Sequence, residues 1–576
     1  SARSESPSCE KSADRSYPRT GKTSGLARTH ESPICPANRQ KHWNFEACNL
    51  RGVTELDRYF SADSPLAEVL DGFVPREGQA LMAAVVAEAI ENAENLVVEA
   101  GTGTGKTFAY LLPALLCGRK TIISTGTKAL QDQLYHRDLP TVAKAAGRPV
   151  ETALLKGRAN YLCLHRLDQL TEPATDLLDD FSAVGAWRHR TLTGDRAELT
   201  DVREDAPIWP LVTSTADNCL GQKCDFYNDC HVVRARRAAQ EADLVVVNHH
   251  LLLADLAMKE EGFVEFLPGA DAIILDEAHQ VPDLAVQFFG ISVGTRELDR
   301  LVDETRVATL PFGQAELNRR VDALSTAVRT LRAEAPREEG RHELEDVQPG
   351  LREPLLRIGE AASDLVEALT ALAHAADEIE KLAEQIITVG EKLALLSEDS
   401  AWDGLRWLEV NPRSVRLNLT PLDVSGKMAA LMSAGQQSWV MTSATLAVGE
   451  DFSHFTSRLG LSGARCLTFP SPFDLAHNGL VYLPRQLPAP SDRDHTAAVL
   501  EALLPVMELT DGGIFCLFTS HRALNNARYW FRQHGSVLGR RPLLVQGTAP
   551  RDDLTRRFRE AGDAVLLGTG SFWEGI

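Results

Sequence analysis

The chain has 576 residues, 44% apolar and 24% charged, which excludes collagen-like, mucin-like or wholly disordered protein and predicts three to five domains at roughly 100–200 residues each. Eighty acidic against 60 basic residues give a formal net charge of −20, so nucleic acid cannot be coated by bulk charge and would have to meet local basic patches. No apolar run reaches a membrane span of about 18 residues, no apolar segment near the N-terminus reads as a secretory signal, and ten cysteines are too few for a disulfide-stapled scaffold, so a cytoplasmic protein is expected.

Residues 1–52, rich in Ser, Arg, Pro and Thr and beginning without Met, read as a disordered tail or as sequence upstream of the true start. Within them Arg19-Thr-Gly-Lys-Thr-Ser24 imitates a phosphate loop but lacks its strand and leading glycines. From 53 to 155 the chain turns regular: a helix over 79–92, a buried strand Asn95-Leu-Val-Val-Glu-Ala100, a Gly/Thr turn, a helix from Lys106, a strand over 121–124 and a helix through Leu134. Apolar runs Leu244-Val-Val-Val247 and Ala272-Ile-Ile-Leu275 add strands over 241–289. Strands alternating with helices predict an α/β protein with a parallel sheet covered on both faces. Two stretches interrupt it. Residues 156–240 carry four clustered cysteines. Residues 290–400 are helical, with Leu317, Val321, Leu324, Val328 and Leu331 at alternating spacings of four and three, and Leu365, Leu372, Ile379, Ile386 and Leu393 at every seventh residue. A polar segment from Ala335 to Pro354 divides these halves and predicts helices folded back on each other. The parallel pattern resumes over 401–447 with Trp439-Val-Met441. A second α/β unit over 448–576 has strands at 514–518, 543–545 and 564–567.

Ala100-Gly-Thr-Gly-Thr-Gly-Lys-Thr107 follows a strand and opens a helix, the context a phosphate loop requires. Ala100 stands where the strict pattern has Gly. Backbone N–H groups of Gly101, Thr102, Gly103, Thr104 and Gly105 would wrap phosphates at a helix N-terminus, Lys106 would reach the β- and γ-phosphates, and the Thr107 hydroxyl would ligate Mg²⁺. Asp276-Glu-Ala-His279 ends an apolar strand, where carboxylates face the ligand crevice of a parallel sheet. Asp276 would hold Mg²⁺ through water and Glu277 would polarise the attacking water. Upstream, Arg76 and Gln79 belong to Pro75-Arg-Glu-Gly-Gln79, and the Gln79 amide suits an adenine edge.

Cys163, Cys219, Cys224 and Cys230 can supply four thiolates to a [4Fe–4S] cluster or to a tetrahedral zinc. Zinc sites favour tighter pairs, and the segment over 217–230 is too polar for inert core cysteines. Iron–sulfur is the preferred reading.

Together these residues resemble the iron–sulfur helicases of superfamily 2, the DinG/XPD group, and within it bacterial YoaA-type members. The resemblance rests on the Gln79 segment, Gly105-Lys-Thr107, Ser124-Thr-Gly-Thr-Lys-Ala-Leu-Gln131, the four cysteines and Val247-Asn-His-His250. It continues through Asp276-Glu-Ala-His279, Thr442-Ser-Ala-Thr445, Ser471-Pro-Phe-Asp474, Phe518-Thr-Ser520 and Ser571-Phe-Trp-Glu-Gly575. It implies two RecA-like parallel-sheet motor domains, with an iron–sulfur domain (156–240) and a helical arch (290–400) inserted in the first. It also implies ATP- and Mg²⁺-driven 5′→3′ movement on single-stranded DNA, unwinding of 5′-tailed duplexes in repair or at damaged forks, a monomer, and pairing with a replicative polymerase clamp-loader subunit. Ser443 and Thr445 would couple nucleotide state to DNA grip, with His279 linking them to ATP. Lys156, Arg158, Lys223, Arg234, Arg236 and Arg237, which flank the cysteines, are candidates for DNA phosphates. The family's sixth motif, which brings an arginine to the γ-phosphate, does not occur before Ile576, so the second motor is expected to be incomplete and this chain to bind ATP without translocating. An RNA helicase of the Asp-Glu-Ala-His type, which lacks the four-cysteine insertion, and a non-motor scaffold switched by ATP are the competing readings.

Overall fold

The computed structural model describes residues 56–573, apart from 172, 216–217, 261–266, 314, 373–376 and 398–403. The expected N-terminal tail 1–52, with its imitation phosphate loop, lies outside the described residues, as do Glu574, Gly575 and Ile576.

Helix α1 (Glu77–Asn92) ends on Ala93 in a left-handed conformation and leads into β1 (Leu96–Ala100), whose Leu, Val and Val are fully buried. Next come α2 (Lys106–Leu116), β2 (Thr121–Thr125), β3 (Thr152–Leu154), β4 (Leu244–Asn248), α3 (His249–Glu260) and β5 (Ala272–Asp276). Strands β2, β4 and β5 are buried along their whole length, which is why they read as unbroken apolar runs rather than alternating ones.

The helical insertion follows: β6 (Ile291–Gly294), α4 (Thr295–Thr309), α5 (Ala315–Glu334), β7 (Gly340–Glu343), α6 (Leu344–Thr370), α7 (Asp377–Ser397), β8 (Gly404–Asn411) and β9 (Ser414–Pro421). Leu317, Val321, Leu324, Val328 and Leu331 form one buried stripe on α5. The every-seventh series is split between two helices: Leu365 lies on α6, while Ile379, Ile386 and Leu393 lie on α7, all four buried. The expected polar divider is shorter than 335–354, because α6 already starts at Leu344 and carries Pro349 and Pro354 inside it.

Two strands differ from the expected boundaries. β8 and β9 were expected with the first motor, yet they join β6 and β7 in an antiparallel sheet of order β6-β9-β8-β7. Their alternating Leu408, Val410, Val415, Leu417 and Leu419 enter the core of the inserted helices. The insertion therefore runs to Pro421.

β10 (Ser438–Ser443) and β11 (Arg465–Phe469) complete a parallel sheet of order β11-β1-β10-β5-β2-β4-β3. β11, expected in the second unit, is its edge strand; its Arg-Cys-Leu-Thr-Phe sequence gives little periodic signal. β12 (Ile514–Leu517), β13 (Leu543–Val545) and β14 (Val565–Gly568) form a separate parallel sheet of order β12-β14-β13 around Leu500, Trp530, Phe531 and Leu567. Two parallel-sheet α/β units are thus present, as expected. Among the described residues no helix is long and apolar enough to cross a membrane.

Candidate functional site

The register of the first sheet sets the site. Val98 of β1 pairs with Thr442 of β10, and Thr442 pairs with Asp276 of β5, so the loop after β1, the acidic turn after β5 and Ser443 emerge side by side at the strands' carboxyl ends. Gly103 and Gly105 take φ of 84° and 80°. A Cβ on Gly105 would stand 2.2 Å from Gln79 Nε2, and one on Gly103 would stand 2.2 Å from the Phe473 ring, so both positions exclude side chains. Lys106 Nζ lies 3.3 Å from the Ala100 carbonyl and donates to it across the mouth of the loop. The Thr104 hydroxyl closes the turn onto the Gly101 carbonyl at 2.8 Å. Thr107 occupies the second position of α2.

Gln79 is 2% exposed. Its Nε2 donates to the Gly105 carbonyl at 3.0 Å, while its Oε1 is buried without a hydrogen-bond partner. That orphaned acceptor fits an amino donor such as the exocyclic group of adenine. Arg76 immediately precedes α1 and is half-buried.

Asp276 ends β5 and is almost fully buried. Burial, with Glu277 beside it, raises its carboxyl to about 7 against the opposing pull of Lys106. Glu277 sits at φ 55°, a left-handed conformation that costs a bulky residue about 1–2 kcal/mol. Its Oε2 accepts from the Ser443 hydroxyl at 3.2 Å and lies 3.4 Å from His279 Nδ1. His279 Nδ1 is in turn 2.9 Å from Ser443 Oγ. Burial pushes the Glu277 carboxyl up, but His279, Lys106 and Ser443 outweigh it and hold it below its ordinary value. Glu277 is therefore an ionised acceptor at neutral pH, as a general base must be.

Three contacts at the site were not foreseen from the sequence, although Ser471 and His249 lie within motifs that it singled out. Ser471 Oγ donates to the Thr102 carbonyl at 2.7 Å, which sets Phe473 against Gly103. Glu99 Oε2 accepts from the backbone N–H groups of Leu446 and Ala447 at 2.6 and 2.7 Å, so β1 pins the loop that follows Thr445. His249, the first residue of α3, bridges the ends of β2 and β5. The Ser471, Glu99 and His249–Ser124 contacts each pair residues more than 100 positions apart, beyond the reach of local pattern, while His249 and Asp276 lie 27 apart on different elements.

Cys163, Cys219, Cys224 and Cys230 are all partly buried free thiols. Burial raises the Cys163 thiol, and Cys219, Cys230 and Cys224 raise it further, so the four are electrostatic neighbours. Arg158 donates to Cys219 Sγ at 3.0 Å. Arg236 is pushed down to about 10 by burial and by Arg158, against the opposing influence of Cys219 and Cys230. Among the described residues no group of three or more His, Cys, Asp or Glu is gathered closely enough to hold a single metal ion.

The basic residues around the cysteines divide. Lys156 does not face solvent: it is 3% exposed and its Nζ lies 2.6 Å from both Asp132 and Asp195. That overturns its assignment to DNA phosphates, because a buried ammonium spent on two carboxylates has no charge to offer a ligand. Lys156→Met should lower stability by about 3–5 kcal/mol by leaving those carboxylates unpaired; urea denaturation followed by tryptophan fluorescence checks it. Lys223 is exposed but bonded to Asp377 and Glu380 at 3.2 and 2.9 Å, on the first turns of α7. Arg234 donates to the Asp229 carbonyl at 2.7 Å, and Arg237 is exposed.

The DEAD/DEAH box helicase family matches residues 81–168, and the helicase C-terminal domain family matches residues 503–576. The chain is 42% identical over 525 residues to a protein of Escherichia coli strain K12 named ATP-dependent DNA helicase YoaA, covering 90% of this chain and 82% of that one. It is 33% identical over 543 residues to a Mycobacterium tuberculosis protein (strain ATCC 25618 / H37Rv) named ATP-dependent helicase DinG, covering 88% and 80%. The solved structure titled XPD_Helicase matches 86% of this chain and 80% of its own, at a TM-score of 0.49 and 16% identity.

Proposed function

We propose, for a chain that belongs to the YoaA/DinG family of ATP-dependent DNA helicases, that the full-length protein moves 5′→3′ along single-stranded DNA and opens 5′-tailed duplexes in repair or at damaged replication forks. The observation that carries this is the meeting of Lys106, Asp276, Glu277 and the His279–Ser443 pair at the carboxyl ends of β1, β5 and β10.

In this reading Arg76 and the free Oε1 of Gln79 meet the adenine. The backbone N–H groups of 101–105 and the ammonium of Lys106 hold the phosphates, while Thr107 and Asp276 hold Mg²⁺. Glu277 takes the proton of the attacking water, which costs no deprotonation because the carboxyl is already ionised. His279 relays the state of Glu277 to Ser443, and so to Thr445 and the loop that Glu99 pins.

Residues 156–240 form a cluster domain in which Cys163, Cys219, Cys224 and Cys230 hold a [4Fe–4S] group. The mutual proximity of the thiols and the guanidinium donated to Cys219 support an anionic cluster there. The group would cross-link Cys163 to the 219–230 loop. The helical insertion serves as an arch beside it, joined through Lys223.

The test is phosphate release from MgATP with and without single-stranded DNA. Stimulation of at least about tenfold is expected of a motor; equal rates would favour an ATP-switched scaffold.

A further inference from the structure

We propose that His249 is a positioning residue that couples the loop after β2 to the acidic turn after β5, and so DNA contact to ATP turnover; this rests on the helicase reading above. His249 opens α3 directly after β4 and is wholly buried. Its Nδ1 lies 2.8 Å from Ser124 Oγ on β2, and its Nε2 lies 2.9 Å from the Asp276 carbonyl oxygen on β5. One ring thus ties the ends of three adjacent strands, in the sheet order β5-β2-β4.

The chemistry fixes its tautomer. A carbonyl can only accept, so Nε2 carries the proton and donates. In the neutral ring Nδ1 is then left to accept the Ser124 hydroxyl proton. Both bonds are buried, where the low local dielectric strengthens them and makes an unmade bond costly.

Both ends bear on function. The Asp276 carbonyl leads into Glu277, whose left-handed backbone needs external support. Beyond Ser124 the chain passes Gly126, where a Cβ would stand 2.5 Å from Gln280 Oε1, so this loop is pressed against the acidic turn a second time. Two residues later Lys128 stands near Arg196 and His250. Burial and Arg196 push its ammonium down against Glu204 and Asp195, and burial together with Lys128 lowers His250. Lys128 and Arg196, whose mutual repulsion Glu204 and Asp195 oppose, are the cations this loop offers to DNA phosphate in the helicase reading.

Ser124→Ala and His249→Gln test the strut, singly and together, in the full-length protein. The glutamine amide can still donate toward the Asp276 carbonyl but offers Ser124 no acceptor at the Nδ1 position, so both changes remove the same bond. Each should lower the ratio of DNA-stimulated to DNA-free turnover about 5–10-fold, with KM for MgATP within about twofold and an unchanged melting temperature. The double variant should be no worse than either single. Undiminished stimulation in both singles would overturn the proposal. So would equal losses with and without DNA, the mark of a packing role, or additive effects in the double variant. A wild type without DNA stimulation would overturn both the helicase reading and this proposal; a stimulated wild type with unaffected variants overturns this proposal alone.

Discussion

Lys106→Ala is expected to abolish tight MgATP binding and to lower DNA-stimulated hydrolysis by at least about 10²–10³-fold, the usual cost of removing one preorganised stabilising group. Lys106 Nζ rests on the Ala100 carbonyl at 3.3 Å, and its charge is felt by the Asp276 and Glu277 carboxyls. A triphosphate placed over Gly101–Gly105 would exchange that neutral carbonyl for a full negative charge. Asp276→Asn should behave differently. It leaves the loop and Lys106 intact, so nucleotide still binds, while turnover is lost with the metal's orientation. Equilibrium binding of a fluorescent nucleotide analogue, read beside phosphate release, separates the two. An unimpaired DNA-stimulated ATPase in Lys106→Ala would show that the nucleotide site lies elsewhere.

Cys224→Ser should lose iron and sulfide together, and with them the broad visible absorbance of thiolate-bound iron. Because metal binding and local folding are coupled, backbone hydrogen exchange should also rise across 156–240. The rise should be steepest over 218–231, where short single turns between the cysteines supply little of the module's apolar core. The Trp187–Trp209 pair, edge to face at 6.3 Å inside that core, should keep its protection longest. Stoichiometric zinc without iron or sulfide in the wild type would contradict the cluster.

Where a residue's role is set by its immediate neighbours, the sequence disclosed it. The buried parallel strands announce themselves as apolar runs, so β1, β2, β4, β5 and β10 were legible to within about two residues, within the usual drift of element boundaries. The phosphate loop and acidic turn were legible for the same reason: strand, glycine turn and helix lie within a dozen residues. The segments of β8, β9 and β11 were not read as strands and fell within the wrong domain boundaries, because strand pairing joins segments far apart in the chain. β9 pairs with β6 across the whole helical insertion, and no local period encodes that. Lys156 looked like a basic flank of Cys163, yet its charge is spent on Asp132 and Asp195, one of them nearly 40 positions away. Glu99 carries no motif signature, and His249, though inside Val247-Asn-His-His250, shows no role there, since each acts on a backbone group that only the folded sheet brings near.

The most direct test of the central claim is strand separation by the full-length, cluster-loaded protein with MgATP, on duplexes that differ only in carrying a 5′ or a 3′ single-stranded tail. The account predicts that the 5′-tailed duplex opens, that the 3′-tailed one stays closed over the same interval, and that Lys106→Ala opens neither. Preferential opening of the 3′-tailed duplex, or equal opening without ATP, would contradict it.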